Sequence, residues 1–423
     1  MNMKLKWIAA AMAAGFSLHT QAAEFREYPD LPTQQVVQQV LQNYPSVLAA
    51  QSGIQAGEAV RERLDAGSHE FNVTGGTARR RIKDSGDNLR DWNVGLERAL
   101  RLPRKAELDS ALGQQTVVLA QNGYGDSMHE AGRKLLSGWF AWSRERSRGE
   151  QWQQQVDVLK QQLDVVTRRV KAGDAAQLEE ELARAALMQA EIELQQAKLR
   201  ADNATSSLKR HFPSLPLPPK PLAGEPQPLP RDLAYWLDLG LDHNHELLLA
   251  RAESKIAQLS ARRADADRIP DPSVGLHYLS ERNGSESVTG VSVTIPLPGG
   301  ARRAASAEAS ARAEMATQRE ALVLRRLEAD ISAVYNNAKA SYASWQSATA
   351  ASDLMQRNAD KMARAYALGE LGLNDVLLAR RQAMEARLAA ALVQLESAES
   401  RYRLLLDTHQ LWPLGNEAEE GHH

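Results

Sequence analysis

The stretch GVSVTIPLPGGARRAASAEASARAEM, residues 290–315, decides the fold. Val291, Val293 and Ile295 alternate with small polar residues, the period of two that puts apolar side chains on one face of a strand. Pro296, Pro298, Gly299 and Gly300 then interrupt the pattern, and an alanine-rich helical run with no further breaker follows. NVGLERALRLPRKAELDSALGQQ, residues 93–115, makes the same change earlier, with Pro103 at the switch. A chain that passes twice from amphipathic strand straight into long helix points to a duplicated plan.

Composition sets the outer limits. The chain has 423 residues, only 5% of them aromatic, and it is rich in Ala, Leu, Gln, Glu and Arg, the usage of long helices and coiled coils. Its formal net charge of −2 mixes both signs, so no basic face advertises nucleic acid. The absence of cysteine excludes disulfides, thiolate metal sites, cysteine catalysis and lipid attachment to an N-terminal cysteine. Lys4 and Lys6, an apolar run from Trp7, and small residues at Thr20, Ala22 and Ala23 read as a secretory signal over 1–23. The run is shorter than the ~20 residues of a membrane helix, and no later segment is apolar enough, so any spanning falls to strands.

Residues 213–230 hold eight prolines in eighteen positions and form an extended linker near the midpoint. The same order of elements is expected on both sides of it. A helix (33–67; 232–267) is followed by two strands (71–81 and 91–100; 273–281 and 288–297), with Gly86 and Gly284 in the hairpin connections. A long helix comes next (103–172; 301–368), then a break at Gly173 or Gly369, then a closing helix (177–210; 373–408). The expected domains are therefore 24–212 and 232–412, joined by the linker 213–231 and followed by an acidic tail, 413–423, ending in His422 and His423.

Coiled-coil spacing runs along the helices. Val156, Leu159, Leu163, Val166 and Val170 step by 3 and 4, as do Leu187, Ala190, Leu194, Ala197 and Ala201. At ~1.5 Å per residue, a 70-residue helix reaches about 105 Å, and two of about 35 residues stacked end to end would match it. Each half is thus expected to be a strand hairpin at one end of a long antiparallel helical column. The four expected strands of the whole chain, each of about ten residues, suit tilted membrane strands with one lipid-facing side. A small soluble sheet with one buried face has the same period. Four strands cannot close a barrel, since bacterial barrels start at eight, so insertion requires several chains to share one.

This order of elements resembles the TolC-like outer membrane efflux proteins over essentially the whole mature chain. VSVTIPLPGGARRAA (291–305) matches that family's strand-to-helix junction, and YALGELGLNDVLLAR (366–380) its periplasmic-tip segment. VGLERALRLPRKAEL (94–108) and VKAGDAAQLEEELAR (170–184) are weaker first-half copies. The resemblance implies a mainly α protein whose long antiparallel coiled-coil helices form a periplasmic α-barrel. Four strands per protomer would contribute to a shared 12-stranded barrel in outer membrane lipid. It also implies a homotrimer that docks on a periplasmic adaptor (membrane fusion) protein and an inner-membrane pump of RND type, in a Gram-negative bacterium. LERALRLPRKAEL further resembles the junction signature of the subgroup serving cobalt–zinc–cadmium exporters, although Arg104 stands where that signature has glycine. Heavy-metal cations are then the cargo implied, with small organic compounds the alternative.

The same resemblance assigns the working residues. Asp375 falls where related channels carry an aperture aspartate, and Glu179, with Glu180 beside it, is its first-half equivalent. Rings of carboxylates at a constriction favour cations, although acids in a first helical turn also stabilise the helix dipole on their own. Gly173, Asp174, Gly369, Glu370 and Leu371 form the adaptor-docking tips, and Pro103, Pro296, Pro298, Gly299 and Gly300 the seam where strand becomes helix. DHNHE, residues 242–246, invites a metal reading, but histidines at i and i+2 of one helix do not share a face, so a structural surface role is expected, with no cofactor. No phosphate loop, H-E-x-x-H or nucleophile elbow is present, so catalysis is not expected. The competing readings are a periplasmic adaptor, which carries one hairpin framed by β domains, and a periplasmic coiled-coil scaffold without a barrel.

Overall fold

The structure, a computed structural model, describes residues 28–221, 223–412 and 414. The expected signal segment 1–23 lies outside them, as does the tail 413–423 apart from Leu414. The first half contains α1 (Gln34–Gln42), α2 (Pro45–Ala66), β1 (Phe71–Arg81), β2 (Asn88–Ala99), α3 (Pro103–Lys171) and α4 (Gln177–His211). The second repeats that order with α5 (Leu233–Asp242), α6 (His245–Ala266), β3 (Ser273–Glu281), β4 (Glu286–Thr294), α7 (Gly300–Ala367) and α8 (Leu373–Asp407). The long helices run unbroken for 69 and 68 residues, which at ~1.5 Å per residue is about 100 Å each.

Two expectations need correction. Each opening helix is in fact a pair. Pro45 lacks the N–H to continue the helical ladder and starts α2 afresh after Asn43 and Tyr44. In the second half Asn244 breaks the run and caps α6, its side chain accepting from the Leu247 N–H at 3.0 Å. The strand limits also shift: β2 begins at Asn88 and β4 covers Glu286–Thr294, so the hairpin connections are tighter than the sequence indicated. Pro296 cannot donate to a ladder, which is why β4 stops short of it.

All four strands lie in one antiparallel sheet in the order β1-β2-β3-β4. The central pairing, β2 with β3, joins the two halves, so β1 and β4 are both open edges. The principal core sits at the waist of the helical column. There α1, the middle of α3 and the C-terminal ends of α4 and α8 enclose Trp139, Phe140, Trp142, Phe212 and Trp236. The proline linker is held against it: Arg146 donates to the Pro219 carbonyl at 2.8 Å and Gln394 to that of Gly224 at 3.0 Å. Towards the far end the packing thins to a seam of Val156, Leu159, Leu187, Ala190 and Leu194.

Below the sheet, a cluster of opposite charges fixes the strands to the helices. Lys105, only 1% exposed, places its ammonium 3.1 Å from Asp267 and 3.0 Å from Asp271. Asp271 also accepts from the Leu102 backbone N–H at 3.1 Å and lies 3.1 Å from His69. Arg263 reaches Asp109 at 2.6 Å and Asp267, while Arg101 holds Asp109 at 3.2 Å and the terminal carbonyls of α2 at Leu64 and Asp65. Burial works to raise both carboxyls, but for Asp267 the hydrogen bonds from Arg263 and Lys105 outweigh it. Those from Lys105 and Leu102 do the same for Asp271, and each carboxyl is held below its ordinary value of 3.8.

A depressed carboxyl stabilises the fold above its unfolded value and loses that contribution as pH falls through the folded one. Loss of seam stability is therefore expected below pH 3.8. Replacing Lys105 with Met leaves two carboxylates facing each other in a half-buried site and should cost about 3 kcal/mol, the low end for breaking a buried pair. Thermal unfolding of the wild type and Lys105→Met at neutral pH and at pH 3 checks both. A variant as stable as the wild type would show that the cluster is not a clamp.

Candidate functional site

At the far end of the column each pair of helices turns on a glycine. Gly173 and Gly369 both have φ of 80°, the left-handed region that favours glycine. The amide of Asp174 donates to the Arg169 carbonyl at 2.8 Å and that of Gly173 to Val170 at 3.0 Å; Glu370 and Gly369 repeat this onto Ala365 and Tyr366 at 2.9 and 3.0 Å. This is the Schellman stop, which satisfies the last carbonyls of the helix. It leaves Asp174 and Glu370 exposed at the two apices with Leu371 half-buried behind, and Leu178 and Leu368 project there 63% and 76% exposed.

The three acids expected at the aperture have different surroundings. Glu179, in the first turn of α4, accepts a 2.6 Å hydrogen bond from the Tyr366 hydroxyl at the end of α7. The Arg169 guanidinium lies over the Tyr366 ring, 4.9 Å from its centroid. Val166, Ala183, Leu373 and Val376 pack around the ring, so this small cluster ties one turn to the other. Burial, then the bond to Glu179, pushes the Tyr366 hydroxyl up to about 12, so it remains a donor at any ordinary pH. Glu180 instead bonds Arg184 on its own helix at 2.8 Å. Asp375 is exposed in the first turn of α8 and makes no ion pair among the described residues. Tyr366 and Arg169 were not singled out from sequence, because the contact that gives them a role joins separate halves of the chain.

At the opposite end the sheet has two distinct faces, set by register. One carries Phe71 and Val73 on β1, Trp92, Val94 and Leu96 on β2, Val274, Leu276 and Tyr278 on β3, and Val291 and Val293 on β4. The other carries Asn72, Thr74, Asn93, Glu97, His277 and Ser292. Val73, Val291 and Val293 are 74%, 68% and 64% exposed, so this apolar face is not the buried side of a small soluble sheet. Trp92 and Tyr278, with ring centroids 5.4 Å apart, close the apolar band towards the hairpin tips. Phe71, covered by Arg98 at 4.7 Å, closes it towards the helices.

The junction prolines and glycines sit where expected. Pro103 opens α3, Gly299 caps α7 and Gly300 begins it, while Pro296 and Pro298 lie between β4 and α7. The DHNHE segment is placed differently from the surface role expected of it. His243 is exposed beyond the end of α5, whereas His245 starts α6 and is half-buried. Its ring lies 5.2 Å from that of His409 and 6.5 Å from that of His129. His129 pairs with the Leu406 carbonyl at 2.9 Å, and burial, then Arg133, holds its imidazole well below its ordinary value, hence neutral. Among the described residues no group of three or more His, Cys, Asp or Glu is arranged to hold a metal ion.

A family model described as outer membrane efflux protein matches residues 36–211 and again 236–406. No curated protein matches the sequence. Among solved structures, the chain is similar to the CmeC outer membrane channel of Campylobacter jejuni, at 15% identity and a TM-score of 0.75, covering 92% of this chain and 89% of that one. It is also similar to the outer membrane protein VceC of Vibrio cholerae, at 15% and 0.72, covering 90% and 96%. The open-state MtrE outer membrane channel of Neisseria gonorrhoeae aligns at 17% and 0.71, covering 90% and 89%. At these identities the structural likeness speaks for the fold.

The contact at the tip makes a specific prediction. Tyr366→Phe keeps the ring and its packing but removes a hydrogen bond to a carboxylate, worth about 1.5–3 kcal/mol. Amide hydrogen exchange over residues 168–180 and 364–376 should then speed up by roughly tenfold or more, while the waist stays unchanged. Equal exchange in the two proteins would remove Tyr366 and Glu179 as a fastening.

Proposed function

We propose that this chain, which belongs to the outer membrane efflux protein family, is a passive outer membrane duct that lets cargo out of the cell envelope. The observation that carries the reading is the open sheet. A β4 edge can pair with the β1 edge of the next copy, a head-to-tail contact that forms a ring when the rotation closes. Each copy adds four strands, so two already reach the eight of the smallest bacterial barrels and three give twelve. The choice of three comes from the family resemblance. In such a ring the face with Val73, Val94, Leu276 and Val291 meets lipid, and the one with Asn93, Glu97 and His277 lines the lumen. The uncovered apolar band speaks against a periplasmic adaptor or scaffold, for which it would be a liability in water.

Below the barrel the helices would continue the passage across the periplasm. The turns at Gly173 and Gly369, with exposed Leu178 and Leu368 beside Asp174, Glu370 and Leu371, supply the surface for an adaptor and, through it, an inner-membrane pump of RND type. The pump provides the energy, so the duct needs no catalytic group. Tyr366 and Glu179 hold the tip closed at rest, and Asp375 is the aperture carboxylate, its copies forming a ring that favours cations. Glu180, engaged with Arg184, plays a lesser part. Metal ions enter as cargo through the likeness of the 94–108 junction to heavy-metal exporters. Lys105 of that junction belongs to the structural clamp, so the junction reflects how the duct is built, and an ion measurement is what decides the cargo.

Planar-bilayer recording of the detergent-purified protein, with oligomer mass taken from the same sample, tests the reading. A trimer with discrete conductance is expected. Tyr366→Phe should raise the open fraction, and Asp375→Asn should lower cation selectivity with conductance retained. A monomer that never conducts would end the duct reading; unchanged selectivity would end only the role of Asp375.

A further inference from the structure

Beyond the apolar band, towards the hairpin tips, the outward face of the sheet changes from hydrocarbon to arginine. Register places Arg79 directly opposite Arg90, two pairs beyond Thr77 and Trp92, and Arg81 opposite Asn88. In step, these positions share the face that carries Val73, Val94 and Leu96. Two like charges directly across a strand pair are unfavourable for the sheet itself. Neighbouring Arg80, on the other face, is treated differently: it bonds Asp91 at 2.9 Å and Glu281 at 2.7 Å. Arg282 likewise pairs with Glu286 at 3.1 Å. Arg79, Arg81 and Arg90 are exposed and make no ion pair among the described residues. The acids of the adjoining turn do not supply one either; Asp87 accepts from Ser85 at 2.7 Å. Three cations with no ion pair among the described residues thus lie just past the Trp92–Tyr278 pair, at the level where a membrane-spanning sheet would leave the hydrocarbon.

We infer that Arg79, Arg81 and Arg90 form a binding site for the phosphate headgroups of anionic lipid in the outer leaflet, repeated around the rim of the barrel. This rests on the reading of the sheet as part of a membrane barrel. Guanidinium groups match phosphate oxygens with paired N–H donors, and their stems can lie along the apolar band below. The occupant is a lipid because the cations are contiguous with a face that only lipid would cover, and because the charge is positive where anionic headgroups would lie. The phosphate takes the place that Asp91 and Glu281 fill for Arg80, and relieves the repulsion between Arg79 and Arg90. The hairpin would then be anchored at both levels, by hydrocarbon below and by phosphate above.

The test uses the full-length purified oligomer, with native mass spectrometry counting retained lipid. The probes are bisphosphorylated lipid A and the same lipid after enzymatic removal of its phosphates. The wild type should retain the phosphorylated form at least tenfold better. The triple variant Arg79→Gln, Arg81→Gln, Arg90→Gln should lose that preference by roughly tenfold or more, while Lys83→Gln in the turn keeps it. Oligomer mass and conductance should be unchanged in the triple variant, which separates loss of the site from loss of the fold. An intact, conducting oligomer whose lipid preference survives the triple substitution overturns the site and leaves the duct standing. Displacement of the lipid by millimolar inorganic phosphate would show a free-anion site and overturn the lipid assignment. A monomer that takes up neither lipid would overturn the barrel reading and this site with it.

Discussion

A four-stranded antiparallel sheet with two open edges and an uncovered apolar face has no stable resting place in water as a single copy. Each edge strand offers a row of unpaired donors and acceptors, and proteins that leave such edges exposed usually blunt or cover them. Here β1 and β4 are 11 and 9 residues long and neither is covered. The sheet satisfies both demands at once if neighbouring copies pair edge to edge and lipid takes the apolar side. On the proposed reading that requirement bears on the rest of the architecture: a ring of chains would need a collar to align them, and the long helices would provide it.

The two ends of the helical column meet different mechanical demands, and the side chains reflect them. At the strand seam, Lys105, Arg263 and Arg101 are interlocked with Asp267, Asp271 and Asp109, and the pairing is nearly closed off from water at Lys105. Each member has at least two charged or polar partners, so the seam resists movement. At the tip, one tyrosine hydroxyl, one carboxylate and a few small apolar residues join the two turns. A fastening of that size is within reach of the binding energy of a partner protein. A rigid strand seam and a weak catch at the far end fit the proposed reading of a passive passage opened from its tip. The waist between them, with its clustered tryptophans, is the largest hydrophobic cluster among the described residues and holds the linker that joins the halves.

Much of this was legible in the sequence because its signals are local. Alternation at Val291, Val293 and Ile295, the breakers Pro296 to Gly300, and the glycines at 173 and 369 each act through their own backbone, so the long helices and the turns lie within a residue of where they were expected. The breaks inside the opening helices were less visible. Pro45 is a permitted first residue of a helix as well as a breaker of one, and Asn244 stops a helix only by capping the next. What sequence did not reveal were the partners across the fold. Tyr366 and Glu179 are 187 positions apart, and Leu102 and Asp271 are separated by 169. Tyr366 opens a segment quoted for its likeness to a periplasmic tip, and Lys105 lies inside one quoted for its proline. Neither could be weighted until the two halves were laid side by side. The same holds for His245, which looked superficial in DHNHE and instead joins His129 and His409 from two other parts of the chain.

The central claim is that the open edges of separate copies meet, and cysteine pairing tests it directly because the chain has no cysteine of its own. Double variants would carry one cysteine at Thr77 on β1 and one in turn at Ser287, Thr289, Val291 or Val293 on β4, oxidised in isolated membranes. Pairing of β4 with the β1 of a neighbouring copy predicts that at least one combination yields covalent dimers and trimers and then stops at the closed ring. Monomers at every combination, or a series running on past the trimer without limit, would contradict it.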